Sequence, residues 1–422
     1  MKVTYFSKKQ IYLRILYTIG IYLTEILLKF LALFNQKLKL GVDGRAETFK
    51  RLQKIQPSDK TFWFHCASLG EYEQGLPVFK EMRKSYPNHK VILTFFSPSG
   101  YEIRKNTDIA DVVAYLPMDS PSNANRFLDL VHPDVTVFVK YDIWPNYLLE
   151  LKKRNGKAIL ISALFREKQS YFKWYGGMMR NALSAFEHIY VQNESSQKLL
   201  ESINFKNVSI AGDTRFDRVT DQLTQNNSLP FIEEFKQNHL CIVIGSSWPE
   251  DEELLVKFIN KNPNNDIKYI IAPHSIKQPQ IKNLQASLSP KTVLHSEKDQ
   301  HNLADYSVMI IDNIGMLSKI YSYANIAYVG GAMGTTGLHN ILEPAVFGVP
   351  VIIGKNHKKF PEAQRMIDQA GVVSIKNQEE LNQTLNNFIT DKDHRKEFGN
   401  RNAQFIAEHK GAVVQITNNL RI

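Results

Sequence analysis

The stretch Ala327–Lys355, AYVGGAMGTTGLHNILEPAVFGVPVIIGK, narrows the folds open to this chain more than any other. An apolar run, Ile326–Val329, leads straight into Gly330-Gly331, and two further glycines, Gly334 and Gly337, precede a His-Asn pair. A short segment of helical character, Ile341–Phe347, and Gly348 follow, and then a second apolar run, Val349–Ile353. Strand, glycine loop, helix, strand is the repeating unit of an open parallel α/β sheet. Glycines at the carboxyl end of a strand let the backbone approach a ligand. A helix start offers N–H groups and a positive dipole end, which suit a phosphate. A tight structural turn is the plainer alternative. Glu343, in a mainly apolar segment one turn past Leu338-His339-Asn340, needs a partner. A ribose diol would serve, and so would a helix cap or a salt bridge; spacing leaves both open.

A chain of 422 residues exceeds a typical single core, so two domains are expected. Alternating strands and helices fill the first half. Strands are predicted at Phe62–Ala67, Val91–Phe96, Val112–Leu116, Val135–Val139, Ala158–Ser162, His188–Val191 and Val208–Ala211. The polar stretch Thr220–Pro230 interrupts the pattern, and a second series begins: Leu240–Ile244, Tyr269–Ala272, Val308–Ile311, Ile326–Val329 and Val349–Ile353. Two doubly wound Rossmann-like domains in tandem, facing across a cleft, make a GT-B-like α/β architecture. The expected limits are an N-terminal helix with its basic flank (1–45), a first α/β domain (46–225) and a second (226–422), with the final helix packing back on the first.

Gln10–Phe34 is long and apolar enough to be mistaken for a membrane span. However, Arg14, Thr18, Glu25 and Lys29 fall on one narrow helical stripe, and Glu25 and Lys29 form an i,i+4 pair. Lys8 and Lys9 precede the segment; Lys37, Lys39 and Arg45 follow it. The pattern predicts a helix lying in or dipping into a membrane interface, with basic flanks meeting anionic headgroups. A buried helix of the first domain is the alternative; a true span is opposed by the charged stripe. The formal charge of +10 favours an anionic partner, and no nucleic-acid-binding signature accompanies it. Two cysteines, Cys66 and Cys241, are too few for a disulfide framework or a metal cluster.

Ligands of open α/β sheets sit beyond the carboxyl ends of the strands. In the second domain that rim holds Gly245-Ser246-Ser247, Pro273-His274-Ser275, Asp312–Met316 and Gly330-Gly331. No Asp-x-Asp pair follows a strand to hold Mg²⁺, so no metal is implied. In the first domain the rim holds Ser68–Glu71, Ser97–Gly100, Lys140-Tyr141-Asp142 and Asp213-Thr214-Arg215. Glu71, in a turn between strand and helix, is a candidate general base for an attacking hydroxyl; an ordinary helix-start Glu is the alternative. Arg215 is a candidate for stabilising charge on a leaving phosphate, or else a surface Arg paired with Asp213 or Asp217. His274 is either a ligand contact or a polar strand end.

Several motifs, in order, resemble one family. They are FHCASLGE (Phe64–Glu71), TFFSPSGYE (Thr94–Glu102), YDIWPN (Tyr141–Asn146), VQNESS (Val191–Ser196), GDTRFD (Gly212–Asp217) and GSSWPEDEE (Gly245–Glu253). With the long glycine segment and KNHKKF after it, they resemble the bacterial transferases of 3-deoxy-D-manno-octulosonic acid (Kdo). The resemblance covers nearly the whole chain. It implies an inverting glycosyl transfer from CMP-Kdo to a lipid A precursor in lipopolysaccharide biosynthesis, without metal or other cofactor, on the cytoplasmic face of an anionic inner membrane. Glu71 matches the family's general base. Asn340, Ile341, Leu342 and Glu343 match its CMP-binding segment, as does Ile314-Gly315-Met316; Ser246, Ser247, Pro273 and His274 complete the expected nucleotide rim.

Arg215 stands where the family usually has a Lys that stabilises the transition state. Three departures accompany these matches. Lys140 occupies a position where a Glu is common, so either Asp142 substitutes for it or that role is lost. Pro273 stands where an Arg would touch the phosphate, leaving His274 or a nearby Lys to cover it, and Met316 replaces a usual Glu. Two other readings of the residues remain: another GT-B enzyme, a transferase or epimerase acting on a UDP-sugar, or a non-catalytic membrane-surface binding protein.

Overall fold

The computed structural model describes residues 8–262 and 266–420, with side chains from Tyr12 onward. The chain forms two compact units, one of Met1–Arg218 with Gly411–Ile422, the other of Val219–Lys410. The second unit thus begins just before the polar stretch Thr220–Pro230.

The first unit holds a seven-stranded parallel sheet. Its strands are β1 (Thr61–Cys66), β2 (Lys90–Phe95), β3 (Val112–Tyr115), β4 (Val135–Val139), β5 (Lys157–Ala163), β6 (His188–Val191) and β7 (Val208–Ile210). Their order is β3-β2-β1-β4-β5-β6-β7. Continuous apolar runs such as TFWFHC suit a sheet covered on both faces, and every residue of β1 is buried. Register places Phe64 beside Leu93 on one side and Val137 on the other. Trp63 packs on Phe127 and Phe138 on one face, while Phe64 stacks on Phe79 at 4.2 Å on the other. The helix Ala412–Asn418 adds Ala412 and Ile416 to that second core. Its start is held by Asp217, which accepts the Gly411 and Ala412 amides at 2.9 and 3.2 Å.

The second unit holds β8 (Leu240–Ser247), β9 (Ile267–Pro273), β10 (Thr292–Leu294), β11 (Val308–Ile310), β12 (Ile326–Val329), β13 (Val351–Gly354) and β14 (Val372–Ile375). All are parallel, in the order β10-β11-β9-β8-β12-β13-β14. The sequence reading passed over β10 and β14. They are the two edge strands, of three and four residues, too short for a hydrophobic pattern to register.

The helix Lys8–Leu31 runs across the first unit with its polar stripe inward. Arg14 Nε donates to Asn146 Oδ1 at 3.0 Å, and Tyr17 Oη donates to Asp119 Oδ2 at 2.9 Å. Glu25 and Lys29 pair at 2.9 Å. The apolar face is left outward: Leu23, Ile26 and Phe30 are 62, 65 and 57 % exposed, and Ile15, Leu16, Ile19 and Leu27 are exposed beside them. No helix among the described residues is long and apolar enough to cross a membrane. The basic flank divides. Lys37 is exposed and Lys39 pairs with Asp43 at 2.6 Å. Arg45 is turned inward instead: it donates to the carbonyls of Gly41, Phe96 and Leu116 and lies over the Phe96 ring. Three carbonyl acceptors and an aromatic face hold it there. The side chains of Lys8 and Lys9 lie outside the described residues.

Candidate functional site

In each sheet one central strand has a chain-order reversal beside it, and such a switch point opens a crevice beyond the strand ends. In the first unit the reversal lies between β1 and β4. The loop after β1 leads into the helix Leu69–Ser85, capped at its start by Ser68. Glu71 lies in the first turn, half-buried, and its Oε2 accepts the Ser68 hydroxyl.

The loop after β4 carries Lys140 in the left-handed region at φ 69°, where a lysine is uncommon. Its amide is tied to the Ile161 carbonyl at 2.8 Å, and its ammonium lies 5.3 Å from the Tyr141 ring centroid. Between the two loops, buried His65 brings Nε2 to 2.6 Å from Asp142 Oδ2 and Nδ1 to 2.8 Å from Thr94 Oγ1. Trp144 Nε1 donates to the same carboxylate oxygen at 2.9 Å. Asp142 is thereby fixed on the rim from behind.

Arg215 begins the helix region Thr214–Thr220 and is committed to its neighbour. Its Nε and Nη2 donate to Asp213 Oδ2 at 2.9 and 2.7 Å, and its backbone amide donates to Oδ1 at 3.0 Å. Burial pulls the Asp213 carboxyl up, but the Arg215 charge and these hydrogen bonds outweigh it and hold the group below its ordinary value. Arg215 therefore presents an ion pair, rather than an isolated cation.

In the second unit the reversal lies between β8 and β12. Most loop amides near the glycines are used within the protein. Gly330 N–H goes to Gly245 O at 2.9 Å, Gly331 N–H to Asp251 Oδ2 at 2.8 Å, Gly337 N–H to Gly331 O at 3.1 Å and His339 N–H to Gly330 O at 3.2 Å. A Cβ on Gly330 would stand 2.4 Å from Ser246 O and 2.7 Å from Ser247 Cα. Gly331 has φ 96°. Gly330 is required by backbone packing between the β8 and β12 loops, and Gly331 by its left-handed backbone and the close approach of Gly337 within the β12 loop, whatever the ligand. Asp251, buried, also accepts Trp248 N–H at 2.9 Å and Tyr328 O–H at 2.8 Å.

The other expected residues divide by burial. Asn340 Oδ1 accepts Leu342 N–H and its Nδ2 donates to Glu343 Oε1, both at 3.2 Å, so these two polar side chains are held together. The side chains of Ile341 and Leu342 are buried, leaving only their backbone for a ligand, and the helix Leu342–Ala345 is a single turn. Ser246 has φ 54° and Ser247 is buried, its hydroxyl donating to Glu252 at 2.8 Å. Pro273 ends β9, and His274 N–H donates to Ser247 O at 2.9 Å. One strand further out, after β11, Ile314 is exposed, Gly315 is left-handed with nothing near an added Cβ, and Met316 starts the turn of helix Leu317–Ile320.

An aromatic stack joins the β8, β9 and β12 loops. Trp248 stacks on His274 at 4.3 Å, and His274 meets His339 at 4.7 Å. Trp248 Nε1 donates to His339 Nε2 at 3.3 Å. Desolvation, with the neighbouring His274, lowers His339 to about 4, and desolvation lowers His274 too, so both imidazoles are neutral at pH 7. Trp248 also lines a largely apolar cavity of about 510 Å³ between the helices Pro249–Lys261 and Gln278–Ser287. Among the described residues no group of three or more His, Cys, Asp or Glu side chains is arranged to hold a metal ion.

Known proteins similar to this chain point to one family. A model described as 3-deoxy-D-manno-octulosonic-acid transferase (kdotransferase) matches residues 43–218. The 3-deoxy-D-manno-octulosonic acid transferase of Haemophilus influenzae is 26% identical over 383 residues, covering 86% of this chain and 87% of that protein. Over most of its length the chain is therefore similar to Kdo transferases. A second such transferase, from Aquifex aeolicus, is 27% identical over 356 residues, covering 82% of this chain and 92% of its relative. In fold it is similar to the UDP-GlcNAc 2-epimerase from Neisseria meningitidis, with a TM-score of 0.58 at 15% identity over 84% of this chain and all of that one.

Three sets of contacts on these rims have no place in the sequence pattern: His65 with Asp142, Asp251 with the glycine loop, and Trp248 with His339. Asp251 alone left a trace, standing three residues after Trp248 at the start of a helix, where a capping carboxylate is expected. The other two depend on contacts between distant strands.

Proposed function

We propose that this chain is a Kdo transferase that carries out inverting transfer from CMP-Kdo to a hydroxyl of a lipid A precursor, with Glu71 as general base. The glycosyltransferase activity and the CMP-Kdo donor are supported by the similarity to Kdo transferases over most of the chain. In the proposed step the acceptor oxygen bonds to the anomeric carbon of Kdo, the bond from that carbon to the cytidylate phosphate breaks, and the hydroxyl proton passes to Glu71. The single observation that carries the base assignment is the position of Glu71. It is a half-buried carboxylate in the first turn after the switch-point strand, held by a serine hydroxyl and, among the described residues, by no cation. A base fixed in that way needs no large rearrangement to meet a hydroxyl.

On the second unit, the Asn340–Glu343 pair is suited to a ribose diol, and the rim from Ser246 to His274 to the phosphate. Pro273, Ile314, Gly315 and Met316 would shape the pocket through backbone and apolar contact. Arg215 and Lys140 are the cations assigned to the first unit, with Arg215 acting through a field already reduced by Asp213. The acceptor reading is supported by the outward apolar face of the helix Lys8–Leu31, which fits a peripheral seat on an anionic inner membrane.

The test is product mass spectrometry with CMP-Kdo and a lipid A precursor. Glu71→Gln should lower kcat by roughly 10²- to 10⁴-fold with an unchanged circular dichroism spectrum. Full turnover in that variant would remove Glu71 from the mechanism. Turnover with a UDP-sugar in place of CMP-Kdo would overturn the donor assignment.

A further inference from the structure

The geometry points to His339 as a neutral hydrogen-bond donor to an anionic oxygen of the nucleotide sugar, held in a single tautomer by Trp248. This inference rests on the donor-site reading of the second unit.

Indole Nε1 can only donate. Its contact with His339 Nε2, at 3.3 Å, therefore requires that nitrogen to be an acceptor and places the ring proton on Nδ1. Three constraints keep the ring in place. Its backbone N–H is bonded to Gly330 O at 3.2 Å, His274 packs on it at 4.7 Å, and Trp248 is itself fixed by its amide on Asp251 at 2.9 Å. Low proton affinity agrees: burial and His274 bring His339 to about 4, so a second proton is absent at neutral pH.

The remaining Nδ1–H meets no hydrogen-bond partner among the described residues, and His339 is only partly buried. It lies one residue before Asn340 and at the end of the glycine loop. A donor that carries no charge and cannot change tautomer can receive either the phosphate or the Kdo carboxylate, without requiring a protonated imidazole. Trp248 touches no substrate in this account; it is a positioning residue acting through His339.

Two amide replacements separate the ring nitrogens. Asn places its NH₂ near the position of Nδ1, and Gln reaches toward that of Nε2. CMP binding to the full-length chain by calorimetry and KM for CMP-Kdo are the readouts, with thermal melting as the control. His339→Gln should weaken binding by roughly ten- to a hundredfold, as expected for a hydrogen bond to a charged group. His339→Asn should lose no more than about a third of that effect on a logarithmic scale. A loss seen with CMP alone assigns the contact to the phosphate; a loss confined to KM for CMP-Kdo assigns it to the carboxylate.

Trp248→Phe, which keeps the stack and removes the indole N–H, should raise KM with little change in kcat. Imidazole ¹⁵N shifts should then show a mixture of tautomers at His339 in place of one. Equal losses in the Asn and Gln variants, or a tautomer unmoved in Trp248→Phe, would refute the assignment. A wild-type chain that bound no CMP would instead overturn the donor-site reading on which it stands.

Discussion

Asp251 holds the glycine loop, and its removal gives a graded prediction. Its two oxygens accept three donors: Gly331 N–H at 2.8 Å, Trp248 N–H at 2.9 Å and Tyr328 O–H at 2.8 Å. The residue is fully buried, so solvent does not screen these contacts. Asp251→Ala leaves all three donors without an acceptor. At about 1–3 kcal/mol for each buried unsatisfied group, with partial relief from an entering water, the loss should be about 4 kcal/mol. Asp251→Asn behaves differently. Its single oxygen can still take both backbone amides, which share one carboxylate oxygen, and its NH₂ can turn to Tyr328, whose hydroxyl then accepts. What goes is the charge assistance and one acceptor, about 2 kcal/mol. Urea unfolding monitored by hydrogen exchange at Tyr328 and Gly331 isolates the second unit, and CMP calorimetry reports the loop. Weaker CMP binding should follow the same order, Ala below Asn below wild type. If Asp251→Ala were within about 1 kcal/mol of wild type, or the two variants were equal, the loop would not depend on this carboxylate as argued.

Further outcomes are expected. Asp119, buried beneath the Tyr17 and Asn146 contacts, has its carboxyl pushed up by burial to about 6, against hydrogen bonds that pull the other way. The folded state then binds a proton more tightly than the unfolded chain, so this group's contribution falls as pH rises from about 4 to 6, by about 3 kcal/mol in all. In Asp119→Asn that pH dependence should vanish, and a slope that persisted would assign it elsewhere. Replacing Leu23, Ile26 and Phe30 together by Ser should reduce partition onto anionic vesicles by at least about a hundredfold, given about 1.5–3 kcal/mol per fully buried apolar side chain. The melting temperature should hold, since all three are exposed; sedimentation with vesicles would show an unchanged bound fraction if another surface seats the protein. Gly330→Ala places a methyl 2.4 Å from the Ser246 carbonyl, and should cost about 2–3 kcal/mol in the same unfolding assay, with no gain on adding CMP beyond that seen in wild type.

The strands of both sheets were largely legible, because buried parallel strands are written as apolar runs ended by Gly, Ser or Pro. All seven strands of the first sheet were expected and are present; the two missed strands are edges of three and four residues. The candidate site was legible as a set of loops, since anything after a strand in such a sheet lies on the rim. Its inner wiring was not. That Arg215 is neutralised by the residue two before it was one of two readings its spacing allowed. That His65 reaches Asp142 across 77 positions, or that Trp248 orients His339 across 91, is decided by strand order and has no local signature. The N-terminal helix shows a third case. Its polar stripe was visible in the sequence, but the direction in which it faces is set by Asp119 and Asn146, two residues far along the chain.

The helix Ala412–Asn418 fills the first unit's core, although residues 219–410 are translated before it. Residues 219–410 are contiguous and have all their own strands once they leave the ribosome, whereas the earlier-made portion waits for Ala412 and Ile416 to close over Val78 and Phe79. The half of the chain synthesised first is therefore the half that finishes last. Until then the apolar face of the helix Leu69–Ser85 stays uncovered in a unit that also carries a greasy helix, the kind of transient apolar exposure that favours association.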